Sequence, residues 1–203
     1  VVSIPGGLGH ANIVASVIFS GMSGSAVADA GGLGQIEVDA MKEQGFDAEF
    51  SAAVTCASAT IGPIIPPSVP MVVYGMMTGV SVGSLFICGV FPGLLLAVAC
   101  SVLVYIMAKK RNYPVQPFSW KEVGESTKEA LLSLLTPVII IGGIWTGIFS
   151  PTEAACVASV YAFILSVLVY KGMTKAEVFE AIKQTVSESA AILLIICGAA
   201  AFS

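Results

Sequence analysis

The chain has 203 residues, of which 56% are hydrophobic and 11% charged, with nine Lys and Arg against 13 Asp and Glu. Soluble domains average about 25% charged residues, so this balance excludes an ordinary soluble domain and points to a membrane protein. The net charge of −4 comes without any basic stripe, which argues against nucleic acid as a partner.

The first element in chain order is the short apolar segment 11–22. At about 1.5 Å per residue it reaches about 18 Å, short of the roughly 30 Å hydrocarbon core. A small-residue stretch follows, Ser23-Gly24-Ser25-Ala26-Val27-Ala28-Asp29-Ala30-Gly31-Gly32. A second arm, about 33–44, becomes charged toward its end at Glu37, Asp39, Lys42 and Glu43. Two short arms around a small-residue tip predict a re-entrant helical hairpin at about 10–46.

The run from Phe50 to Ala108 carries no Asp, Glu, Lys or Arg, yet it contains Gly62-Pro63-Ile64-Ile65-Pro66-Pro67-Ser68. Proline lacks the backbone N–H and clashes with the preceding turn, so no α-helix continues through that stretch. Unwound backbone at membrane depth is tolerated only where protein or a water-filled cavity satisfies it, and secondary transporters place ion and substrate sites there. A broken helix is therefore predicted at about 48–78, as half-helices at about 48–61 and 69–78. A full span at about 84–108 stops at Lys109-Lys110-Arg111. Residues 109–130 read as a loop and an interfacial amphipathic helix, with Ser119 and Glu122 spaced as a capping box. Further spans are expected at about 131–149, 152–170 and 186–203, with an amphipathic stretch at 174–188 leading into the last. The fold class expected is all-α and polytopic. Because the chain opens on Val1-Val2-Ser3 and stops inside an apolar run, an internal piece of a longer protein is expected.

Charge placement agrees with this layout. If the hairpin returns to its starting face, all nine basic residues share one side, which the positive-inside rule assigns to the cytoplasm. The five cysteines all lie in apolar stretches without CxxC spacing, and are expected to be small buried apolar side chains rather than metal or redox groups.

Several residues are candidates for a site. Ser23, Gly24 and Ser25 offer carbonyls and hydroxyls to a hard cation such as sodium, or serve close helix packing. Asp29 is costly near a bilayer centre. It could bind a cation, relay a proton, contact or gate substrate, or cap the second arm. Ser58, Thr60 and Ser68 flank the break with the carbonyls of Gly62 and Pro63; their hydroxyls could replace water around an ion or bond back to freed carbonyls. His10 and Asn12 read as interfacial or capping groups, and Glu153, behind Ser150 and Pro151, as a helix start. No HExxH, GxSxG or pair of intramembrane acids supports a membrane-embedded enzyme.

Gly9-His10-Ala11-Asn12, the stretch from Gly21 to Gly34 and the stretch from Ser58 to Ser68 resemble the large membrane subunit of tripartite ATP-independent periplasmic (TRAP) transporters, as does Gly147 to Ala155. The resemblance covers essentially the whole chain. It implies a secondary transporter of the bacterial inner membrane rather than an enzyme, built as one half of an inverted repeat that moves elevator-fashion. It implies sodium-coupled uptake of an organic acid, a C4-dicarboxylate or a sialic-acid-like carboxylate, with sodium as coupling ion and no other cofactor. The partners implied are a small membrane (Q) subunit and a periplasmic substrate-binding (P) protein, besides membrane lipid. The resemblance assigns residues 1–108 to the transport domain and the first sodium site to Ser23, Gly24 and Ser25 with unwound backbone at Thr60, Gly62, Pro63 and Pro66. Asp29, Pro67 and Ser68 are left as substrate-binding or gating residues, and a second sodium site falls outside this sequence. A sodium- or proton-coupled carboxylate symporter that needs no binding protein remains the alternative.

Overall fold

A computed structural model describes residues 4–113 and 120–201. Among the described residues every regular element is a helix, with no strand. Val1–Ala158 forms one compact unit and Ser159–Ser203 a second.

In the first unit, α1 (Gly7–Ser23) ends at Gly24, whose φ of 61° and N–H bonded to Ser20 O close the helix in the left-handed conformation. A glycine suits that cap because it carries no Cβ penalty there. Ser25 is extended, and the chain then runs from Ala26 to Glu43 as α2 (Ala26–Ala28), a π-helical stretch (Asp29–Leu33) and α3 (Gly34–Glu43). The α4 helix (Ala48–Ala59) stops where the prolines begin, and α5 (Val69–Thr78) restarts under the cap of Ser68. Between them, Ile61 N–H bonds to Ser58 O and Gly62 N–H to Ala59 O, tight turns replacing the α-helical ladder. The α6 helix (Val82–Arg111) overshoots the expected span at both ends and is capped by Asn112 in the left-handed region.

Phe46, Phe50, Val54, Ile61, Ile65, Val104 and Ala108 form the buried core that packs α4 and the break against α6. Gly89 and Gly93 of α6 lie directly under Ile64 and Ile65, with no room for a Cβ. Small residues permit such close approach between membrane helices. Within this core Phe46 and Phe50 stack, and Tyr113 packs tilted against both, with ring centroids of Phe46 and Tyr113 4.5 Å apart. The Tyr113 hydroxyl donates to Asp47 Oδ2 at 2.6 Å, and Arg111 pairs with the same oxygen.

The segments at about 119–130 and 131–149 join in one helix, α7 (Trp120–Trp145), which contains Pro137. Ser119, the expected cap, lies outside the described residues. The α8 helix (Pro151–Ile164) begins as expected. Ser150 N–H donates to Glu153 Oε2 at 2.8 Å, and Glu153 N–H returns to Ser150 Oγ at 3.3 Å.

In the second unit, Leu165–Val169 winds as a π-helix, and α9 (Lys175–Ala201) is continuous through the stretch read as amphipathic. Thr174 and Glu177 cap α9 in the same reciprocal way. Three helical segments, Val82–Arg111, Pro151–Val169 and Lys175–Ala201, are long and apolar enough to cross a bilayer.

The cysteines correct one expectation. Cys56, Cys88, Cys156 and Cys197 are exposed on their helices, and only Cys100 is partly covered. Lipid tails are as apolar as a protein core, so an apolar neighbourhood in a membrane sequence does not indicate burial.

Candidate functional site

The turn after α1 and the interruption between α4 and α5 meet. Gly24 is pressed against Pro67 and Ser68, and a Cβ on it would lie 3.3 Å from Ser68 Cα. Its carbonyl accepts from Val69 N–H at 3.4 Å. Gly62, on the other side of the break, is backed by Ser25 and Ala26, where a Cβ would lie 3.4 Å from Ala26 N. Both glycines are buried. Two sequence-distant interruptions thus contact each other twice.

The contact brings together four helix termini. The last carbonyls of α1 and α4 carry partial negative charge, and the first N–H groups of α5 and of the run beginning at Ala26 carry partial positive charge. Ser25 Oγ accepts from Ala28 N–H at 3.4 Å and Ser68 Oγ from Met71 N–H at 3.3 Å, so each N-terminus has a hydroxyl cap. Among the described residues, no N–H or hydroxyl donates to the carbonyls of Ser23, Thr60, Gly62, Pro66 or Pro67. Pro63 O accepts from Ser68 Oγ at 2.6 Å. Bare carbonyl oxygens are hard ligands of the kind that sodium takes.

Behind the crossing, α1 and α4 are joined by a polar zipper. Asn12, Ser16 and Ser20 recur every four residues on α1, and Ser51, Thr55 and Ser58 form the facing stripe on α4; all six are buried. Asn12 Nδ2 donates to Thr55 Oγ1 at 2.7 Å, Ser58 Oγ donates to Asn12 Oδ1 at 2.7 Å, and Ser16 Oγ donates to Ser58 Oγ at 3.0 Å. Asn12 and Ser58 are therefore the centre of this network. The expectation of an interfacial or capping Asn12 is corrected; its sign in the sequence was the i, i+4, i+8 repeat with Ser16 and Ser20.

The candidates divide accordingly. Ser23, Gly24, Ser25, Gly62, Pro63, Pro66, Pro67 and Ser68 gather at the crossing through backbone and caps. Thr60 is exposed, and its hydroxyl donates to Ala57 O at 2.6 Å, leaving its carbonyl as the group available at the break. Ser58 turns away into the zipper. Asp29 is 1% exposed, and no donor among the described residues bonds either carboxylate oxygen. Glu37, read from sequence as part of the charged end of the arm, has both carboxylate oxygens buried and unpartnered among the described residues. On an unbroken α-helix these two residues stand about 80° apart, whereas a π turn absorbs about one residue and brings them within about 20° of one face.

The family model described as "Tripartite ATP-independent periplasmic transporter, DctM component" matches residues 2–203. Over 200 residues the chain is 50% identical to the sialic acid TRAP transporter large permease protein SiaM of Vibrio cholerae, covering 98% of the chain and 47% of that protein. It is 47% identical over 169 residues to the C4-dicarboxylate TRAP transporter large permease protein DctM of the same organism, covering 83% of the chain and 37% of the relative. It is 38% identical over 201 residues to the ectoine/5-hydroxyectoine TRAP transporter large permease protein UehC of Ruegeria pomeroyi, covering 98% and 47%. The chain thus spans less than half the length of these relatives.

Proposed function

We propose a transport role from one premise: the chain belongs to the family of the DctM component of tripartite ATP-independent periplasmic transporters. It forms one half of a large permease subunit that takes up an organic acid in symport with sodium. The cargo is a carboxylate of the C4-dicarboxylate or sialic-acid type, delivered by a periplasmic binding protein, and the permease works with a small membrane subunit in the bacterial inner membrane. The basic loops face the cytoplasm. The segment 10–46 enters and leaves on one face as a re-entrant hairpin, and the half-domain moves as an elevator.

The observation that carries this reading is the double contact of the two interruptions, Gly24 on Pro67–Ser68 and Gly62 on Ser25–Ala26. Carbonyls of Ser23, Thr60, Gly62 and Pro66, with Gly24, Pro63 and the Ser25 hydroxyl, replace the hydration shell of one sodium ion. The capped N-termini at Ser25 and Ser68 favour a carboxylate beside it, because helix N-termini attract anions. Cation and anion then stabilise one another in a low-dielectric site, which makes co-binding the physical basis of coupling. The second half-site belongs to the remainder of the subunit.

The test is uptake by proteoliposomes holding the full-length permease, its small subunit and the cognate binding protein. An inward sodium gradient drives accumulation, and Ser25→Ala raises the sodium concentration needed for half-maximal uptake while the subunits still co-purify. Equal uptake in sodium and in choline refutes the reading.

A further inference from the structure

We propose that the groove between α4 and α6 holds one acyl chain of an anionic phospholipid, with its phosphate on Arg111 and Lys110. The groove has a cavity volume of about 130 Å³. Its floor is Ile13 of α1 with Phe50 and Val54 of α4, all buried, and its rims are Ala57 of α4 and Leu103 and Met107 of α6, all exposed. No lining residue carries a charged, hydroxyl or amide side chain. The slot follows α4 from Phe50 to Ala57, about 10 Å at the rise of an α-helix. A helix with its side chains is itself about 10–12 Å across, too wide for this volume, whereas one extended hydrocarbon chain fits it.

The two helices run antiparallel here, so the start of α4 and the end of α6 form one mouth, closed by the pair Asp47–Arg111. The Arg111 guanidinium lies 5.8 Å from the centre of the Phe50 ring, at the edge of the slot. Its Nη1 serves Asp47 and donates to the Tyr113 hydroxyl at 3.2 Å; among the described residues its Nη2 and Nε donate to nothing. Asp47 and Tyr113 thus fix one edge of the guanidinium and leave the other for a phosphate, which the planar fork of arginine suits. Lys110 continues the row of Leu103 and Met107 along α6 and has no ion-pair partner among the described residues. Lys109, Lys110 and Arg111 outnumber Asp47 and Glu49, the acids at the facing start of α4. An apolar slot that ends at a positive mouth is complementary to an amphiphile with a negative head, and basic pockets between membrane helices collect such lipids.

This inference requires only that α6 crosses a bilayer, so it stands or falls separately from sodium coupling. The test uses the purified full-length permease with its small subunit, stripped of lipid in detergent and titrated with dioleoylphosphatidylglycerol or dioleoylphosphatidylcholine. Native mass spectrometry counts the lipid retained, and circular dichroism checks that each variant is folded. The parent should hold one phosphatidylglycerol at least about tenfold more tightly than phosphatidylcholine, on the strength of two basic groups. Ala57→Leu fills the slot from an exposed position and should abolish the tight site. Lys110→Gln leaves the slot open and should weaken phosphatidylglycerol about fivefold, with phosphatidylcholine unchanged. Equal affinity of the parent for the two lipids overturns the proposal. A tight site that survives Ala57→Leu places the lipid elsewhere and overturns it too. Loss of the small subunit from the Ala57→Leu complex, with lipid binding unaltered, would give the groove to a protein side chain instead of a lipid.

Discussion

Gly24 and Pro67 touch backbone to backbone: no side chain fits between the glycine and the Pro67 carbonyl, and the adjoining Val69 N–H reaches Gly24 O at 3.4 Å. Gly24 also sits at φ 61°, a conformation that costs an L-residue with a side chain roughly 1–2 kcal/mol. Gly24→Ala therefore combines strain with a wedge between the two interruptions. Sodium-driven uptake should fall at least about tenfold, the factor that corresponds to about 1.4 kcal/mol, while far-ultraviolet circular dichroism keeps its helical content. Uptake at the level of the unsubstituted protein would show that the contact is dispensable.

The zipper has its own expected cost. Asn12→Ala removes the donor to Thr55 and the nearer acceptor of Ser58, whose hydroxyl keeps Thr55 O at 3.0 Å, so the buried Thr55 hydroxyl is the group left short of a partner. Each unsatisfied buried group costs about 1–3 kcal/mol, so the detergent-solubilised complex should unfold at a clearly lower temperature. Thr60→Ala is the matched control. Its hydroxyl is exposed and bonds only within its own turn, and such surface changes stay within about 0.5 kcal/mol.

Asp47 gives a pH signature outside the spans. The hydrogen bond from Tyr113, followed by that from Arg111, holds its carboxyl below the ordinary carboxylate range. A group whose folded pKa is depressed adds stability that is complete above the unfolded pKa, about 4, and disappears as pH falls through the folded pKa. Tyr113→Phe keeps the ring among Phe46 and Phe50 but removes the donor. The variant should be less stable than the parent at neutral pH, and the difference should narrow below about pH 4. A difference that is constant across that range would assign the effect to packing alone.

The interruptions were legible in the sequence because their chemistry is local. Three prolines cannot propagate a helix whatever surrounds them, and Gly24 marks a helix end by its own backbone freedom. The same holds for the Ser150–Glu153 start of α8. Which side chains face each other was not legible. Glu37 looked like part of a charged surface end because an ordinary helical count from Asp29 points it elsewhere, and only the π stretch turns it inward. Asn12 looked like a cap because the first segment was expected to begin at about residue 11, whereas the helix starts at Gly7. The cysteines misled for a different reason, since an apolar segment in a membrane reports no inside and no outside.

Ser68 links the cap of α5 to the proposed ion site. Its hydroxyl accepts from Met71 N–H and donates to Pro63 O at 2.6 Å, and the residue is 1% exposed. Ser68→Ala removes both bonds. Loss of an N-cap hydroxyl costs about 0.5–2 kcal/mol, and Pro63 O loses the donor that holds the break in its turn. The expected outcome is a lower unfolding temperature together with a raised sodium requirement, because the freed loop must be ordered again each time the ion binds. Ser68→Thr keeps an oxygen at the same position and should restore both properties. Stability restored without the sodium requirement would mean that the hydroxyl serves α5 alone, and that Pro63 does not contribute to the ion's shell.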